Sequence, residues 1–359
     1  MKAPKTPLVV ESAPYTQPGA NEIVIENHAV AINPIDWMKV EMGNMLFSWI
    51  KCPFVLGSDV AGDVVQIGSA VTGHKVGDRV LGHANGIDQK HNKSSEGAFQ
   101  TYTIVESHMA SSIPNALSYE SAAVIPLGVS TAACGLFQED QLALQYPTTH
   151  PKSTGKTLLV WGGATSVGCN AIQLAVAAGY EVITTASPKN FDYVKKLGAS
   201  HAFDYRSKTI IDDLIHAFKG KTTVGALTMG SGAAEACMDV LGKCTGDKFI
   251  SMATYPLPDP RPKRFVVPLT IYAFISFSIS NWVKSRLRGI RTNFIFGSTL
   301  AHNDVGRAIY VDFLPEALAQ GTYIAAPDPY VVGKGLECIQ TGFEVQQKGV
   351  SAKKVVVSL

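Results

Sequence analysis

The chain has 359 residues, 46% of them hydrophobic and 17% charged, which is enough for two globular domains with apolar cores and unlike a disordered protein. Acidic and basic residues are interspersed and the formal net charge is +2, so nucleic acid is not an expected partner. The six cysteines are scattered without a Cys-x-x-Cys motif, and no apolar signal-like segment follows Met1. We therefore expect reduced thiols and a cytoplasmic protein.

The first part of the chain predicts a small β-barrel. Residues 22–30 alternate between apolar and polar side chains, and short apolar runs separated by glycines continue to Val80. Many tight turns between short strands are typical of a partly open barrel. A helix is then expected at 117–125, and a second helix beginning at Leu127 is expected to lead into the next domain.

The middle of the chain predicts a strand, a glycine turn, a helix and a second strand. Residues 157–161 form an apolar run, Gly162 and Gly163 follow, apolar residues recur at helical spacing over 171–178, and 181–185 form another apolar run. Such a βαβ unit directs a helix N-terminus at a pyrophosphate. The turn departs from the G-x-G-x-x-G pattern because Thr165 replaces the second glycine, so a plain βα turn is the alternative interpretation.

The remaining elements continue this alternation of strands and helices. Strands are expected at 202–204, 224–229, 248–253 and 293–296, and helices at 233–241 and 314–320. The predicted fold class is therefore α/β, with a doubly wound parallel sheet beside the barrel.

Several motifs in this order resemble the medium-chain dehydrogenase/reductase superfamily. They are Asn33-Pro-Ile-Asp36, Leu56-Gly-Ser-Asp-Val-Ala-Gly62, Val76-Gly-Asp-Arg-Val80, Glu96-Gly-Ala-Phe99, the Gly163 turn and Lys353-Lys-Val-Val356. The run 186–193 with Phe203-Asp-Tyr-Arg206 is most similar to fungal enoyl reductases that act in trans with polyketide synthases, and more distantly to quinone reductases. The resemblance implies a GroES-like catalytic domain at 1–125 and 300–359 and a Rossmann NADPH-binding domain at 126–299.

The positions that hold catalytic zinc in alcohol dehydrogenases of this superfamily correspond to Asn33, Ser58 and Leu127. Leucine cannot bind Zn²⁺, and amide and hydroxyl groups are poor substitutes for thiolate and imidazole. The four-cysteine lobe of the structural zinc is also missing, since no cysteine lies between Cys52 and Cys134. No two of the nine histidines form a close ligand pair in sequence, so we expect surface or loop histidines and no metal.

The end of the second nucleotide-domain strand favours NADPH over NADH. NAD-preferring sites place an acidic residue there to bind the ribose diol, whereas here Ser187, Pro188, Lys189 and Asn190 follow the strand, with Tyr205 after the next one. The hydroxyls of Thr165 and Ser166 are further candidate phosphate donors. The resemblance implies additional cofactor contacts from Ile35, Asp36, Trp37, Met38, Ala164, Val167, Met252, Ala253, Val350 and Ser351. For 350–353 the alternative is a basic hairpin on an edge strand.

The resemblance implies reduction of an activated C=C bond in an α,β-unsaturated thioester or ketone. Gly128, Val129, Ser130 and Thr131 are expected to line the substrate site, although hydroxyls at a helix start are equally often caps. No residue stands out as general acid. A free or acyl-carrier-bound enoyl substrate and a polyketide synthase partner are expected, and the alternatives are a quinone oxidoreductase or an NADPH-binding protein without catalysis.

One apolar segment, Phe265 to Trp282, is uncharged over a length close to that of a membrane span. Because it contains Pro268 and several hydroxyl residues and lies within the predicted nucleotide domain, we expect a buried or cleft-lining segment and no membrane span. Either a monomer or a homodimer is compatible with the sequence.

Overall fold

The computed structural model describes residues 1–3, 5–257 and 265–359. The strands in this part of the chain are β1 (Glu22–Ala31), β2 (Asp59–Ile67), β3 (Arg79–His83), β4 (Tyr102–Glu106), β5 (Ala110–Ser112), β6 (Lys156–Trp161), β7 (Glu181–Ala186), β8 (His201–Asp204), β9 (Thr222–Thr228), β10 (Thr245–Gly246), β11 (Phe249–Met252), β12 (Arg291–Phe294), β13 (Asp328–Lys334) and β14 (Lys353–Ser358). They form two separate sheets.

Helices connect and cover these strands. They are α1 (Pro34–Met42), α2 (Tyr119–Ala123), α3 (Pro126–Phe137), α4 (Ser166–Ala177), α5 (Phe191–Lys196), α6 (Ile210–Ala217), α7 (Ala233–Leu241), α8 (Val266–Arg288), α9 (Asp304–Arg307), α10 (Leu314–Gln320) and α11 (Ile339–Lys348). The chain divides into unit 1, Met1–Ser130 with Ser298–Leu359, and unit 2, Thr131–Gly297. The domain boundaries that the sequence predicts, at 125/126 and 299/300, stay a prediction.

Unit 1 contains the mostly antiparallel sheet β13-β14-β1-β2-β3-β5. Strand β1 organises it: β2 pairs along one edge, while β4 pairs with residues 22–26 and β14 with residues 29–31. Strand β14 lies between β13 and β1. The alternative of a basic hairpin on an edge strand at 350–353 is therefore wrong, because both edges of β14 are paired.

Unit 2 contains the parallel sheet β12-β11-β9-β6-β7-β8. The order reverses between β6 and β9, which is the point where ligands bind in doubly wound sheets. Leu159, Ile183 and Ile250 are fully buried in this sheet and contribute to its hydrophobic core with Leu214 and Met238 from the helices. The predicted doubly wound α/β architecture is confirmed.

Most predicted elements form close to their expected positions. The strands expected at 157–161, 181–185 and 202–204 appear as β6, β7 and β8, and the helix expected at 314–320 is α10. The last strand of unit 2 begins earlier than expected, at Arg291.

The expectation that Phe265–Trp282 is buried is wrong, whereas the alternative that it lines a cleft stays a prediction. Residues 266–282 belong to α8, and much of the apolar surface of this helix is exposed, with Ile275 at 55%, Ile279 at 60% and Trp282 at 63%. The opposite side of the helix holds it to unit 2, since Phe277 packs against the core and Asn281 Nδ2 donates to Thr292 Oγ1 at 2.9 Å. An uncharged run does not reveal which helix face is covered.

Among the described residues, one stretch is both long and apolar enough to cross a membrane. It is Tyr119–Phe137, which comprises α2 and α3, and 78% of its most apolar window is buried within the protein. Such burial is typical of a core helix, so this stretch is weak evidence for a span.

Candidate functional site

The turn between β6 and α4 presents a helix N-terminus at the carboxyl edge of the parallel sheet. The N–H of Gly163 donates to the Thr185 carbonyl at 2.8 Å, which fixes the turn against β7. Thr165 is the N-cap: its Oγ1 accepts from Gly168 N at 3.0 Å and donates to the Gly162 carbonyl at 2.8 Å. The first N–H groups of a helix lack intrahelical acceptors, so this end suits an anion.

Two glycines allow the close packing of this turn. A Cβ at Gly163 would lie 2.2 Å from Thr184 Oγ1, and one at Gly168 would lie 2.3 Å from the Gly162 carbonyl oxygen. Thr165 is tolerated at the remaining position because it has extended backbone dihedrals and caps the helix. The altered glycine pattern is thus still a close-packed strand–turn–helix of the dinucleotide-binding kind.

Of the two hydroxyl groups predicted to donate to phosphate, that of Thr165 is hydrogen-bonded within the turn and that of Ser166 is buried. The Thr165 hydroxyl makes the two hydrogen bonds of the cap. Oγ of Ser166 is buried and meets no hydrogen-bond partner in the described part of the chain. Ala164 and Val167 flank them on either side of the helix start, and all four expected residues therefore lie at one place.

The strand ends next to this turn carry the residues expected to discriminate between nicotinamide cofactors. Ala186 at the end of β7 is the register partner of Asp204 at the end of β8, so the residues that follow both strands lie side by side. Pro188, Lys189 and Tyr205 are exposed there, while Ser187 and Asn190 are half-buried. The structure therefore brings the five expected residues to the same edge.

Arg206 adds a second cation to this edge and is a candidate binding residue that the sequence analysis did not name. Its guanidinium carbon lies 5.1 Å from the centroid of the Tyr205 ring. The Asp204 carboxylate accepts from the Arg206 backbone N–H at 3.0 Å and so closes its own turn. The signal was present in the sequence, since Arg206 follows Tyr205 directly.

The other expected cofactor residues occupy several places. Met252 is buried at the end of β11, and Ala253 follows it with its N–H bound to the Thr228 carbonyl at 2.9 Å. Val350 and Ser351 lie in the turn before β14. Met252 and Ala253 belong to unit 2, whereas Val350 and Ser351 belong to unit 1.

Helix α1 of unit 1 carries Ile35, Asp36, Trp37 and Met38. Asp36 is buried, and its Oδ2 accepts from Asn33 N at 2.8 Å. Trp37 is also buried, with its indole N–H directed to Gln346 Oε1. Ile35 and Met38 are half-buried, so they are the more accessible side chains of the set.

Unit 1 also encloses a buried polar cluster around Asp59. Oδ2 of Asp59 lies 2.5 Å from Lys354 Nζ and 2.7 Å from Asn33 Nδ2, while Oδ1 accepts from Leu127 N at 2.5 Å. The side chains of Asp59 and Lys354 are 0% and 4% exposed. The carboxylate is therefore compensated by an ammonium group and two N–H donors.

Asp36 lies beside this cluster. Burial raises the pKa of its carboxyl to about 8, and the negative charge of Asp59 acts in the same direction, whereas the hydrogen bond from Asn33 N lowers the pKa. Oδ1 of Asp36 is buried without a hydrogen-bond partner among the described residues. The carboxyl is thus held neutral near pH 7.

A chain of buried hydrogen bonds runs from His83 through Ser130 to Tyr310. His83 Nδ1 is 2.8 Å from Ser130 Oγ, which is 2.7 Å from the Tyr310 hydroxyl, and Tyr310 donates to the Pro126 carbonyl at 2.8 Å. Since Tyr310 has one proton, Ser130 donates to Tyr310 and His83 donates from Nδ1 to Ser130. Burial lowers the pKa of His83 to about 4, so the ring is neutral.

This chain of hydrogen bonds corrects one expectation and shows a buried polar cluster that was not expected. His83 is 1% exposed in β3, so the prediction that the histidines are surface or loop residues is wrong for it. Nε2 of His83 is buried without a hydrogen-bond partner in the described residues, as is Oγ of Ser58, whose carbonyl accepts from Ala84 N. These orphaned atoms mark the cluster as a polar site that the sequence did not reveal, because Tyr310 is remote in the chain.

The expected substrate residues Gly128, Val129, Ser130 and Thr131 lie in the first turns of α3. Gly128, Val129 and Ser130 are buried, whereas Thr131 is half-buried. Since the Ser130 hydroxyl already bonds to His83 and Tyr310, it is a member of a fixed chain rather than an unengaged donor.

Comparisons with known proteins agree with this geometry. The family model of the alcohol dehydrogenase GroES-like domain matches residues 19–115, and that of the zinc-binding dehydrogenase matches residues 166–248. Dehydrogenase pigH of Monascus ruber is 59% identical over 359 residues, which are 99% of this chain and 97% of that protein. Trans-enoyl reductase himH of Aspergillus japonicus is 39% identical over 343 residues, covering 94% and 90%.

Solved structures share the fold. An alcohol dehydrogenase superfamily protein from Novosphingobium aromaticivorans aligns with a TM-score of 0.74 at 20% identity, covering 100% of this chain and 98% of that chain. The CurK enoyl reductase aligns with a TM-score of 0.69 at 20% identity, covering 97% and 94%. The GroES-like and Rossmann folds expected from the motifs are therefore confirmed.

Proposed function

The chain belongs to the medium-chain dehydrogenase/reductase superfamily, and from this premise we propose that it is an NADPH-dependent reductase of activated C=C bonds that transfers hydride without a metal. The superfamily consists of nicotinamide-dependent oxidoreductases, so the protein is an oxidoreductase. The proposed substrate is an α,β-unsaturated thioester or ketone, and the proposed location is the cytoplasm.

The preference for NADPH rests on the register between β7 and β8. Ala186 pairs with Asp204, so Lys189 and Arg206 follow neighbouring strands beside the glycine turn. No carboxylate stands in the ribose-binding position directly after β7. Two cations and a hydroxyl suit a 2′-phosphate, which a carboxylate there would repel. This shared edge is the observation that carries the proposal.

The residues of unit 1 support hydride transfer without zinc. Asn33 directs its amide N–H to Asp59, Ser58 offers a neutral hydroxyl, and the Leu127 side chain has no atom that can bind a metal. This set lacks the thiolate and imidazole ligands that zinc prefers. In addition, Lys354 already neutralises Asp59, so the buried carboxylate needs no further cation.

An enoyl substrate is supported by the relatives that are named trans-enoyl reductases. The nicotinamide, when bound, supplies the hydride. Reduction of an enoyl group leaves charge on the carbonyl oxygen and requires a proton at Cα, so hydrogen-bond donors are needed near the carbonyl. Thr131 and the backbone around Gly128 are the proposed donors. An acyl-carrier-bound substrate delivered by a polyketide synthase fits the same chemistry.

The hydrogen bonds from His83 through Ser130 to Tyr310 determine which of these side chains carry protons in unit 1. His83 holds a proton at Nδ1 for Ser130, and Nε2 is an acceptor because the ring is neutral. Tyr310 has its pKa raised well above its usual value by burial, so its hydroxyl stays protonated. These residues therefore orient α3, and no general acid is assigned among them.

A substrate panel tests the proposal. NADPH oxidation is measured with an enoyl thioester, a quinone and no acceptor, using full-length protein before and after dialysis against a chelator. We expect turnover of the enoyl thioester in both preparations, with deuterium from labelled NADPH appearing at Cβ. Turnover of quinones alone would replace the proposal with a quinone reductase, and NADPH binding without turnover would indicate a protein that has lost catalysis. Loss of turnover on chelation, in protein that stays folded by circular dichroism, would contradict the metal-free step.

A further inference from the structure

A second group of ionisable side chains lies in unit 1, between the loop that follows β3 and the segment that follows Gly297. Asp88, His91 and His302 each present a ligand atom, and these atoms lie within 4.8 Å of one another. Oδ1 of Asp88 is 3.1 Å from Nε2 of His302, although the residues are 214 positions apart. The rings of His91 and His302 stack with centroids 5.5 Å apart. Spacing along the chain does not reveal this group.

The environment of His91 orients it as a ligand. Its Nδ1 lies 2.7 Å from Glu96 Oε2, and the side chains of His91 and Glu96 are 12% and 3% exposed. A histidine that donates Nδ1–H to a carboxylate presents the lone pair of Nε2, which is the arrangement of histidines that bind metals. Glu96 is itself positioned by Lys93, whose Nζ lies 2.8 Å from Oε1.

The lone pair of His91 faces negative charge. Nε2 of His91 is 3.5 Å from Glu106 Oε2, and the side chain of Asp88 is only 8% exposed. A neutral imidazole nitrogen and an ionised carboxylate oxygen at this separation repel each other unless a proton or a metal ion lies between them. A proton held by His91 or Glu106 removes this repulsion, and so does a metal ion, but only the metal ion is detected by elemental analysis.

We propose that Asp88, His91 and His302 bind a divalent cation of the Zn²⁺ class, with Glu96 as the positioning partner of His91. Two imidazoles and a carboxylate are ligands that Zn²⁺ accepts, leaving a fourth position for water. Ligand atoms of a tetrahedral zinc site lie roughly 3.3 Å apart for bonds of about 2.0 Å. The separation of 3.1 Å between Asp88 and His302 is close to that value.

The role of this site is to hold the polar loop that follows β3 against residues 298–302. It is distinct from Asn33, Ser58 and Leu127, and it takes no part in hydride transfer. Bound metal stabilises the folded protein because the unfolded chain does not bring His302 to Asp88.

The test uses full-length protein that has been dialysed against a chelator and then titrated with ZnCl2 and, separately, CoCl2. We expect one ion per chain by elemental analysis, a rise in Tm with Zn²⁺, and visible absorption of bound Co²⁺ at a site with two imidazoles. His302→Gln and His91→Gln should abolish all three signals. Glu96→Gln should weaken binding about 10–100-fold, as expected for a partner of a metal-bound histidine.

The matched control is His216→Gln, which changes an exposed histidine on α6 and should leave binding unchanged. If wild-type protein binds no stoichiometric ion, the proton is the occupant and the metal site is disproved. Binding that persists in both His91→Gln and His302→Gln would also overturn it. Should a variant fail to fold, the stoichiometry and Co²⁺ spectrum of the wild type decide the matter. Enoyl reduction by the chelated protein tests the proposed function separately.

Discussion

Lys354 Nζ lies 2.5 Å from Asp59 Oδ2 in the interior of unit 1, with the two side chains 4% and 0% exposed. Removal of one partner from a buried pair leaves an uncompensated charge, which costs about 3–5 kcal/mol. We expect Lys354→Met to lower the free energy of unfolding by this amount in chemical denaturation. Lys353→Met, the exposed neighbour, is the control and should have little effect. Similar stability of both variants would contradict a buried ion pair.

The edge formed after β7 and β8 should discriminate between the two nicotinamide cofactors. We expect Lys189→Ala with Arg206→Ala to raise the Kd for NADPH by at least about 100-fold, because each of the two lost hydrogen bonds to a charged group contributes roughly 1.5–3 kcal/mol. The Kd for NADH should not change. Fluorescence titration with both cofactors measures this.

Lys195→Ala provides the control for that titration, since Lys195 is an exposed lysine on the nearby helix α5. An equal loss of NADPH and NADH affinity in the double variant would show that the two cations do not bind the 2′-phosphate selectively.

Thr165 should contribute through the helix cap. Its hydroxyl accepts from Gly168 N and donates to the Gly162 carbonyl, so Thr165→Val should cost about 1 kcal/mol of stability and weaken NADPH binding as the turn loosens. Thr165→Ser should retain both properties. A loss of NADPH affinity without any loss of stability would instead indicate that the hydroxyl contacts phosphate directly.

Asp36 should make stability depend on pH. Its pKa is raised to about 8 in the folded protein, chiefly by burial, so the folded state binds the proton more tightly than the unfolded state. The contribution of this carboxyl is therefore fully present below the unfolded pKa of about 4 and is lost as pH rises through 8.

Asp36→Asn keeps the shape of the side chain and removes that titration. Relative to wild type, the variant should gain stability as pH rises from 4 to 8, by at most about 1.4 kcal/mol per pH unit. Denaturation of both proteins without cofactor at several pH values measures the difference. A difference independent of pH would show that Asp36 is already ionised at low pH.

The exposed face of α8 should tolerate truncation. Ile279 is 60% exposed, so Ile279→Ala should change stability by no more than about 0.5 kcal/mol. Ile290→Ala is the matched comparison, since Ile290 is 4% exposed in the core and its truncation should cost about 2–5 kcal/mol. If Ile279→Ala were as costly as Ile290→Ala, the helix would be covered in solution.

Much of the fold, and the part of the candidate site around the glycine turn, could be predicted from local sequence patterns. The glycine turn at 162–168, the flanking strands and the residues after β7 are neighbours in sequence, so period and turn chemistry were enough to predict them. The sequence also indicated that Asn33, Ser58 and Leu127 are poor zinc ligands, because ligand chemistry depends on residue type.

The sequence by itself therefore determined the two kinds of sheet, the helix that begins after the glycine turn and the absence of an acidic residue directly after β7. Only the tertiary structure decided that Lys354 neutralises Asp59, that Tyr310 reaches His83 through Ser130, and that His302 meets Asp88. It also decided which face of α8 is exposed. The physical reason is that these contacts join side chains from distant segments, whose meeting depends on how strands pair and helices pack rather than on any local propensity.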